Sequence, residues 1–207
     1  MSESNPSLES IDQRVSYGIA LSMGGNIARQ GGVEIDTAAF LAGLRDGLDG
    51  AKPRLSDEEL QATFQAAQAR LDAAASQGSL KQQQEGAEFL AKNRERAGVV
   101  VTDSGLQYEV LVAGSGSKPR EDQTVEVHYH GTLINGTVFD SSVKRGETVS
   151  FPVNGVIAGW VEALQLMSVG SKWKLFIPAE LGYGNRAQGP IPAGSTLIFE
   201  VELIAIK

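Results

Sequence analysis

The chain has 207 residues, 42 % of them apolar and 21 % charged, which suits one or two folded domains and excludes a disordered polymer. A net charge of -7 argues against nucleic acid as the main partner, because phosphate binding draws most of its affinity from clustered Lys and Arg. Without cysteine there are no disulfides, no thiolate chemistry and no cysteine-ligated metal, and no stretch approaches the roughly twenty apolar residues that cross a bilayer.

The first fifteen residues, MSESNPSLESIDQRV, carry neither a basic start nor an apolar run of about seven to fifteen residues, so a secretory signal is not expected and the cytoplasm is the expected compartment. Ile11, Val15, Ile19, Met23 and Ile27 then recur every fourth residue, which predicts an amphipathic helix broken at Gly31-Gly32. Asp36 is a candidate N-cap for a second helix, with Phe40, Leu41, Leu44 and Leu48 on its apolar face and Gly50 with Pro53 at its end. Ser56 and Glu59 have capping-box spacing and open a third helix, expected to run to about Ala97 over roughly 60 Å. Its second half is polar nearly all round except for Leu80, Phe89 and Leu90, the pattern of a helix that bridges domains, and Gly78 and Gly86 each weaken it by roughly 1 kcal/mol relative to Ala. The basic cluster Lys92 to Arg96 reads as cations meeting the macrodipole at its C-terminal end.

Composition changes at Gly98 from Ala, Gln and Glu to Val, Thr, Tyr and Gly, and the apolar period changes to two. Strands are predicted over Leu106 to Val112, from Val125 to Leu133, and over Glu147 to Val153, Trp173 to Ile177 and Thr196 to Ile206, with a short helix at about Val156 to Leu166. Asn135-Gly136 is a hairpin turn signal because both residues tolerate positive φ. The fold class expected is α+β: helices over 1–75, continuation of the long helix over 76–97, and an antiparallel sheet wrapped on a short helix over 98–207. Residues 1–75 are few for an independent core, so their apolar stripes call for cover by a second copy of the chain or by packing on the C-terminal domain.

Few residues suit acid–base or metal chemistry. There is no Gly-x-Ser-x-Gly elbow, and the two histidines, His128 and His130, lie on one face of a strand opposite Tyr129 and offer two metal ligands where three or four are needed. Gly114-Ser115-Gly116-Ser117 leads to Pro119 rather than to a phosphate-binding helix and reads as a turn. Asp140 by itself reads as the cap of the turn that ends its strand, and Trp160 and Phe151 by themselves as core. Taken together, Tyr129, Phe139, Asp140, Phe151, Val156, Ile157, Trp160 and Tyr183 mix aromatics with one carboxylate and suggest an apolar cup. One reaction needs little else. Rotation about an Xaa-Pro bond faces a barrier of roughly 18–20 kcal/mol from lost amide resonance and requires no nucleophile, cofactor or proton shuttle.

Val127-His128-Tyr129 with Gly131, Gly136 through Ser142, Val156 through Trp160, Ala163-Leu164, Met167, Gly170 and Gly182-Tyr183-Gly184 together resemble the FKBP-type peptidyl-prolyl isomerases over about residues 99–207. Residues 11–97, with Ser16-Tyr17-Gly18 before the long helix, resemble the dimeric bacterial branch that includes the macrophage infectivity potentiator proteins and their cytoplasmic relatives. The resemblance implies a peptidyl-prolyl cis-trans isomerase that needs no cofactor or metal and forms a homodimer. Its substrates would be unfolded or partly folded proline-containing chains, and rapamycin- and tacrolimus-type macrolides would inhibit it. It assigns Tyr129, Phe139, Asp140 and Tyr183 to catalysis and Phe151, Val156, Ile157, Trp160, Ile191 and Phe199 to substrate binding, with Trp160 as the floor. The N–H of Ile157 and the hydroxyl of Tyr183 would meet ligand carbonyls. His130 stands where Thr is familiar, and the loop Asn185 to Ala193 is the other departure-prone region, its Gly189-Pro190-Ile191-Pro192 keeping an apolar rim. A dimeric chaperone or scaffold that holds proline segments without turning them over is the alternative.

Overall fold

The computed structural model describes residues 7–30 and 34–207, and the helix break expected at Gly31-Gly32 lies outside the described residues. The chain divides into two compact units, one up to Asp72 and one from Ala73 to Lys207.

The first unit holds α1 (Ile11–Gln30), α2 (Thr37–Leu48) and the start of α3 (Asp57–Asn93). Local chemistry sets the helix starts. Asp36 caps α2 by accepting from the Ala39 N–H at 2.8 Å. Ser56 and Glu59 form the reciprocal box, Ser56 N–H donating to Glu59 Oε2 at 2.8 Å and Glu59 N–H to Ser56 Oγ at 3.2 Å. The four-residue stripes lie uncovered within one chain: Ile11, Val15 and Ile19 are each more than half exposed, as are Leu48 and Phe64. No described residue of this unit is buried.

The second unit contains the rest of α3, a seven-stranded antiparallel sheet and α5 (Ala158–Leu166). The strands are β1 (Val99–Val101), β2 (Gln107–Val112), β3 (Thr124–Leu133), β4 (Val138–Ser141), β5 (Val149–Pro152), β6 (Lys172–Ile177) and β7 (Leu197–Ile206); the short helix α4 (Ser142–Arg145) follows β4. They pair in the order β1-β2-β6-β7-β3-β4, with β5 also on β3. Strict alternation of burial along β3 sends Val125, Val127, Tyr129 and Leu133 into the core and His128 and His130 to the outer face. Against that inner face α5 packs Trp160, Ala163 and Leu164. Gly159 permits the approach, since a Cβ there would lie 2.7 Å from Ile177 Cγ2.

Several sequence expectations change. The α3 helix passes through Gly78 and Gly86 unbroken and ends at Asn93, not Ala97, because Asn93 is buried and donates to Gln107 Oε1 at 2.9 Å while Gly98 turns at φ 87. The sheet unit begins at Ala73 rather than Gly98 because the second half of α3 packs on it: Phe89 meets Phe176 at 6.0 Å and Gln107 Nε2 donates to the Leu90 carbonyl at 3.0 Å. Arg96 does more than face a dipole, since it pairs with Glu109 at 3.1 Å and lies over the Phe176 ring. Only Gly136 has positive φ in the hairpin after β3; Gly136 N–H donates to the Leu133 carbonyl and Leu133 N–H to the Thr137 carbonyl, a three-residue loop closed by one left-handed glycine.

Candidate active site

Five elements and one loop converge at the open end of the core. Tyr129 comes from β3, Phe139 and Asp140 from β4, Phe151 from β5, Phe199 from β7, and Val156, Ile157 and Trp160 from the entry and first turn of α5. Tyr183 and Ile191 come from the connection between β6 and β7. Every site residue expected from the sequence lines one cavity of about 660 Å³, together with Gly155, Gln188, Gly189 and Pro190.

The aromatic geometry is edge on face. Trp160, 4 % exposed, sits 5.5 Å from Tyr129 at 83°, 5.9 Å from Phe151 at 86° and 5.2 Å from Phe199 at 79°. Such pairs add about 0.5–1.5 kcal/mol each beyond their buried area, so three of them hold the indole as a rigid floor. Phe139 stands edge-on to Phe199 at 5.3 Å. Gly131 makes that possible: a Cβ there would lie 2.5 Å from the Phe139 ring and 2.8 Å from Phe199. Among the described residues Trp160 Nε1 is the buried side-chain donor without a protein partner, and none accepts from the N–H of Ile157, the N-cap of α5.

The polar edge is a closed cluster. The Tyr129 hydroxyl donates to Asp140 Oδ2, Arg145 Nη1 donates to Asp140 Oδ1, and Ser141 N–H reaches the same oxygen at 2.8 Å. Arg145 Nη2 also donates to the Tyr129 hydroxyl at 3.1 Å. Burial pulls the Asp140 pKa upward, but the hydrogen bonds from Tyr129, Arg145 and the Ser141 N–H outweigh it and hold the carboxyl below its ordinary range. Burial and the bond to Asp140 raise the Tyr129 phenol above its own. The carboxylate is therefore an oriented fixed charge, with its oxygens committed to donors.

Arg145 is the member that sequence reasoning missed. It ends α4, whose N-cap is Ser141, accepting from Lys144 N–H at 3.1 Å, and not Asp140 as the isolated reading has it; Gly146 closes the turn at φ 75. The run Ser141-Ser142-Val143-Lys144-Arg145-Gly146 is the available signal: a cap, then cations before a left-handed glycine. His128 and His130 stay outside the cavity, bonded to Ser142 Oγ at 3.0 Å and Ser141 Oγ at 2.9 Å. Among the described residues no group of three or more His, Cys, Asp or Glu is placed to hold a metal ion. No helix among them is long and apolar enough to cross a membrane.

Residues 115–204 match the family model described as FKBP-type peptidyl-prolyl cis-trans isomerase, and residues 12–110 match that of the domain amino terminal to it. The FKBP-type 22 kDa peptidyl-prolyl cis-trans isomerase of Escherichia coli (strain K12) is 46% identical over 202 residues, covering 97% of this chain and 98% of the relative. The chain belongs to the FKBP-type peptidyl-prolyl cis-trans isomerases.

The FKBP-type isomerase FkpA of Aeromonas hydrophila is 44% identical, covering 96% of this chain and 78% of the relative. Outer membrane protein MIP of Legionella longbeachae is 43% identical, covering 97% and 88%, so kinship lends no support to the cytoplasmic expectation. The crystal structure of FkpA from Escherichia coli aligns with a TM-score of 0.76 at 36% identity, over 97% of this chain and 99% of that one. The chain is thus an enzyme of Xaa-Pro isomerisation, built of an N-terminal helical region and an α+β domain with an antiparallel sheet.

Proposed function

We propose that the proline ring of an unfolded or partly folded client enters the 660 Å³ cavity and stacks on Trp160, walled by Phe139, Phe151, Val156, Ile191 and Phe199. The Ile157 N–H and the Tyr183 hydroxyl hold carbonyls of the bound chain, while Asp140, oriented by Tyr129 and Arg145, supplies the fixed polar edge. A planar amide is strongly polar and the twisted one is less so; a dry aromatic site therefore favours the twisted state relative to water. Reducing a relaxation of tens of seconds to milliseconds takes about 10⁴-fold, or roughly 5–6 kcal/mol of differential binding. No proton need move. The observation that carries this reading is the convergence of the aromatic floor and walls with one hydrogen-bonded carboxylate in a single cavity.

The uncovered stripes of α1 and α2 support a homodimer formed through the helical unit. Two pockets in one dimer hold a flexible client at raised effective concentration, which adds chaperone-like binding to turnover. Rapamycin and tacrolimus are proposed as inhibitors through the same cavity. Three measurements test these assignments: a protease-coupled proline-peptide assay with and without rapamycin, refolding of a proline-limited protein by the full chain and by residues 73–207, and sedimentation of both. Full-chain dimers, equal peptide turnover and faster refolding by the full chain are expected. Client binding without peptide turnover would favour the scaffold alternative, and a monomeric full chain would remove the avidity.

A further inference from the structure

The loop that carries Tyr183 and Ile191 is gripped from outside the cavity by α3. Its ends are tied to each other, Gly194 N–H donating to the Gly184 carbonyl at 2.8 Å, and its tip is closed by reciprocal bonds between Gln188 and Ile191 at 2.9 and 3.0 Å. These self-contacts give the loop its shape, and Ile191, buried in the core cluster, roots its tip beside Trp160 and Phe199. The α3 helix meets it at three points one helical turn apart. Gln83 Nε2 donates to Asn185 Oδ1, and Ser79 Oγ approaches the same oxygen at 3.4 Å. The Ser79 carbonyl lies where a Cβ on Gly194 would sit 2.5 Å away, at a residue whose φ is 77. Gly86, buried in the helix, faces Thr196 so closely that a Cβ would lie 2.3 Å from Thr196 Oγ1. Two glycines, one on each partner, thus allow the close approach: Gly194 brings the loop backbone onto the Ser79 carbonyl, and Gly86 makes room for the Thr196 side chain.

We propose that Ser79, Gln83 and Gly86 of α3 are positioning residues for the isomerase site: the helix is a buttress that sets how far Tyr183 and the Gln188 to Ile191 rim stand from the aromatic floor. The functional unit of the enzyme accordingly includes the second half of α3. This rests on the cavity being the proline site. Tyr129, Asp140 and Phe199, carried by the sheet, and Trp160, carried by α5, make no hydrogen bond, ion pair or ring contact with α3, so loosening the buttress weakens the hold on the bound chain more than it alters the twisting step.

The test uses the full-length chain, with kcat and KM measured separately on a proline peptide, rapamycin Kd, and Tm. Gly86→Ala drives a methyl into Thr196 and is expected to raise KM and the rapamycin Kd by about 3–10-fold with kcat within about twofold of wild type. Thr196→Ala leaves only the Cβ, 3.3 Å from the new methyl, so the Gly86→Ala/Thr196→Ala pair should return both constants to near wild type. Gln83→Ala and Asn185→Ala cut the tether without adding bulk and should each raise KM by about 2–3-fold; they decide the matter if Gly86→Ala fails to fold. Unchanged KM and Kd in these variants, even with a lowered Tm, would overturn the proposal, because the contact would then hold the fold together without placing the rim. Phe139→Ala run beside them separates the two claims: if it alone is impaired, the buttress fails and the cavity stands, and if it too keeps wild-type kinetics, the cavity reading fails as well.

Discussion

Gly131→Ala probes the pocket from behind its wall. The added methyl would lie 2.5 and 2.7 Å from two atoms of the Phe139 ring and 2.8 Å from Phe199 Cε1, against an ordinary contact of 3.4–4 Å, so the rings must withdraw by about 1 Å. Phe199 is 6 % exposed and wedged edge-on against Trp160, whereas Phe139 is only partly buried, so Phe139 gives way. Overpacking of this kind costs about 1–3 kcal/mol of stability. A wall displaced by about 1 Å costs more in turnover than in folding, and kcat/KM should fall about 10–100-fold, or about 1.4–2.8 kcal/mol of transition-state binding. The assay is protease-coupled turnover of a proline peptide beside thermal denaturation. A Gly131→Ala/Phe139→Ala double variant should regain part of the stability without regaining activity, since the closer clash, with Phe139, goes while that with Phe199 stays, and the wall goes with it. Wild-type kcat/KM in Gly131→Ala would refute the reasoning, because the wall would then be movable at no catalytic cost.

Asp140→Ala strips Tyr129 and Arg145 of their shared acceptor and should lower kcat/KM at least about tenfold with the fold retained, as read by circular dichroism and the same assay. The pH profile should be flat from about pH 5 to 9. Asp140 has a depressed folded pKa, so its contribution is complete above its unfolded value and is lost only as pH falls through the folded one; Tyr129 has a raised pKa and keeps its proton until the pH climbs past its ordinary value near 10. A single ionisation midpoint in kcat/KM inside that window, absent from a redox- and metal-free buffer control, would mean that a proton does move. Gly78→Ala should stabilise the chain by up to about 1 kcal/mol in urea denaturation, because a methyl there meets nothing within 4 Å and the helix is continuous; a loss of stability would place a bend at that residue.

What was legible depended on the size of the side chains involved. Four-residue spacing of large apolar residues gave α1 and α2, and the cap chemistry of Asp36 and of Ser56 with Glu59 marked two helix starts to the residue. The cavity residues stood out because aromatics cluster in few places. The second half of α3 reads as a bridge between domains because, apart from Phe89 and Leu90, the residues it sets against the sheet unit, Ser79, Gln83, Gly86 and Asn93, are small or polar and leave hydropathy almost flat. Gly86 looked like a weakness of about 1 kcal/mol when its absent side chain is what lets Thr196 in. Arg145 escapes notice because a Lys-Arg pair after a strand resembles any basic surface turn; only the short α4 turn brings it back to Asp140, from which it lies five residues away. At Asn135-Gly136 the dipeptide marks the hairpin because both residues tolerate positive φ, and Gly136 alone adopts it.

The central claim is that one cavity per chain performs the isomerisation, and an active-site titration tests it most directly. Peptide turnover by a known concentration of the full-length protein, followed as rapamycin is added, should fall linearly to the uncatalysed rate at one macrolide per chain, with Phe139→Ala starting low and responding weakly. Turnover that persists when the cavity is saturated, or that never exceeds the buffer rate, would contradict the account.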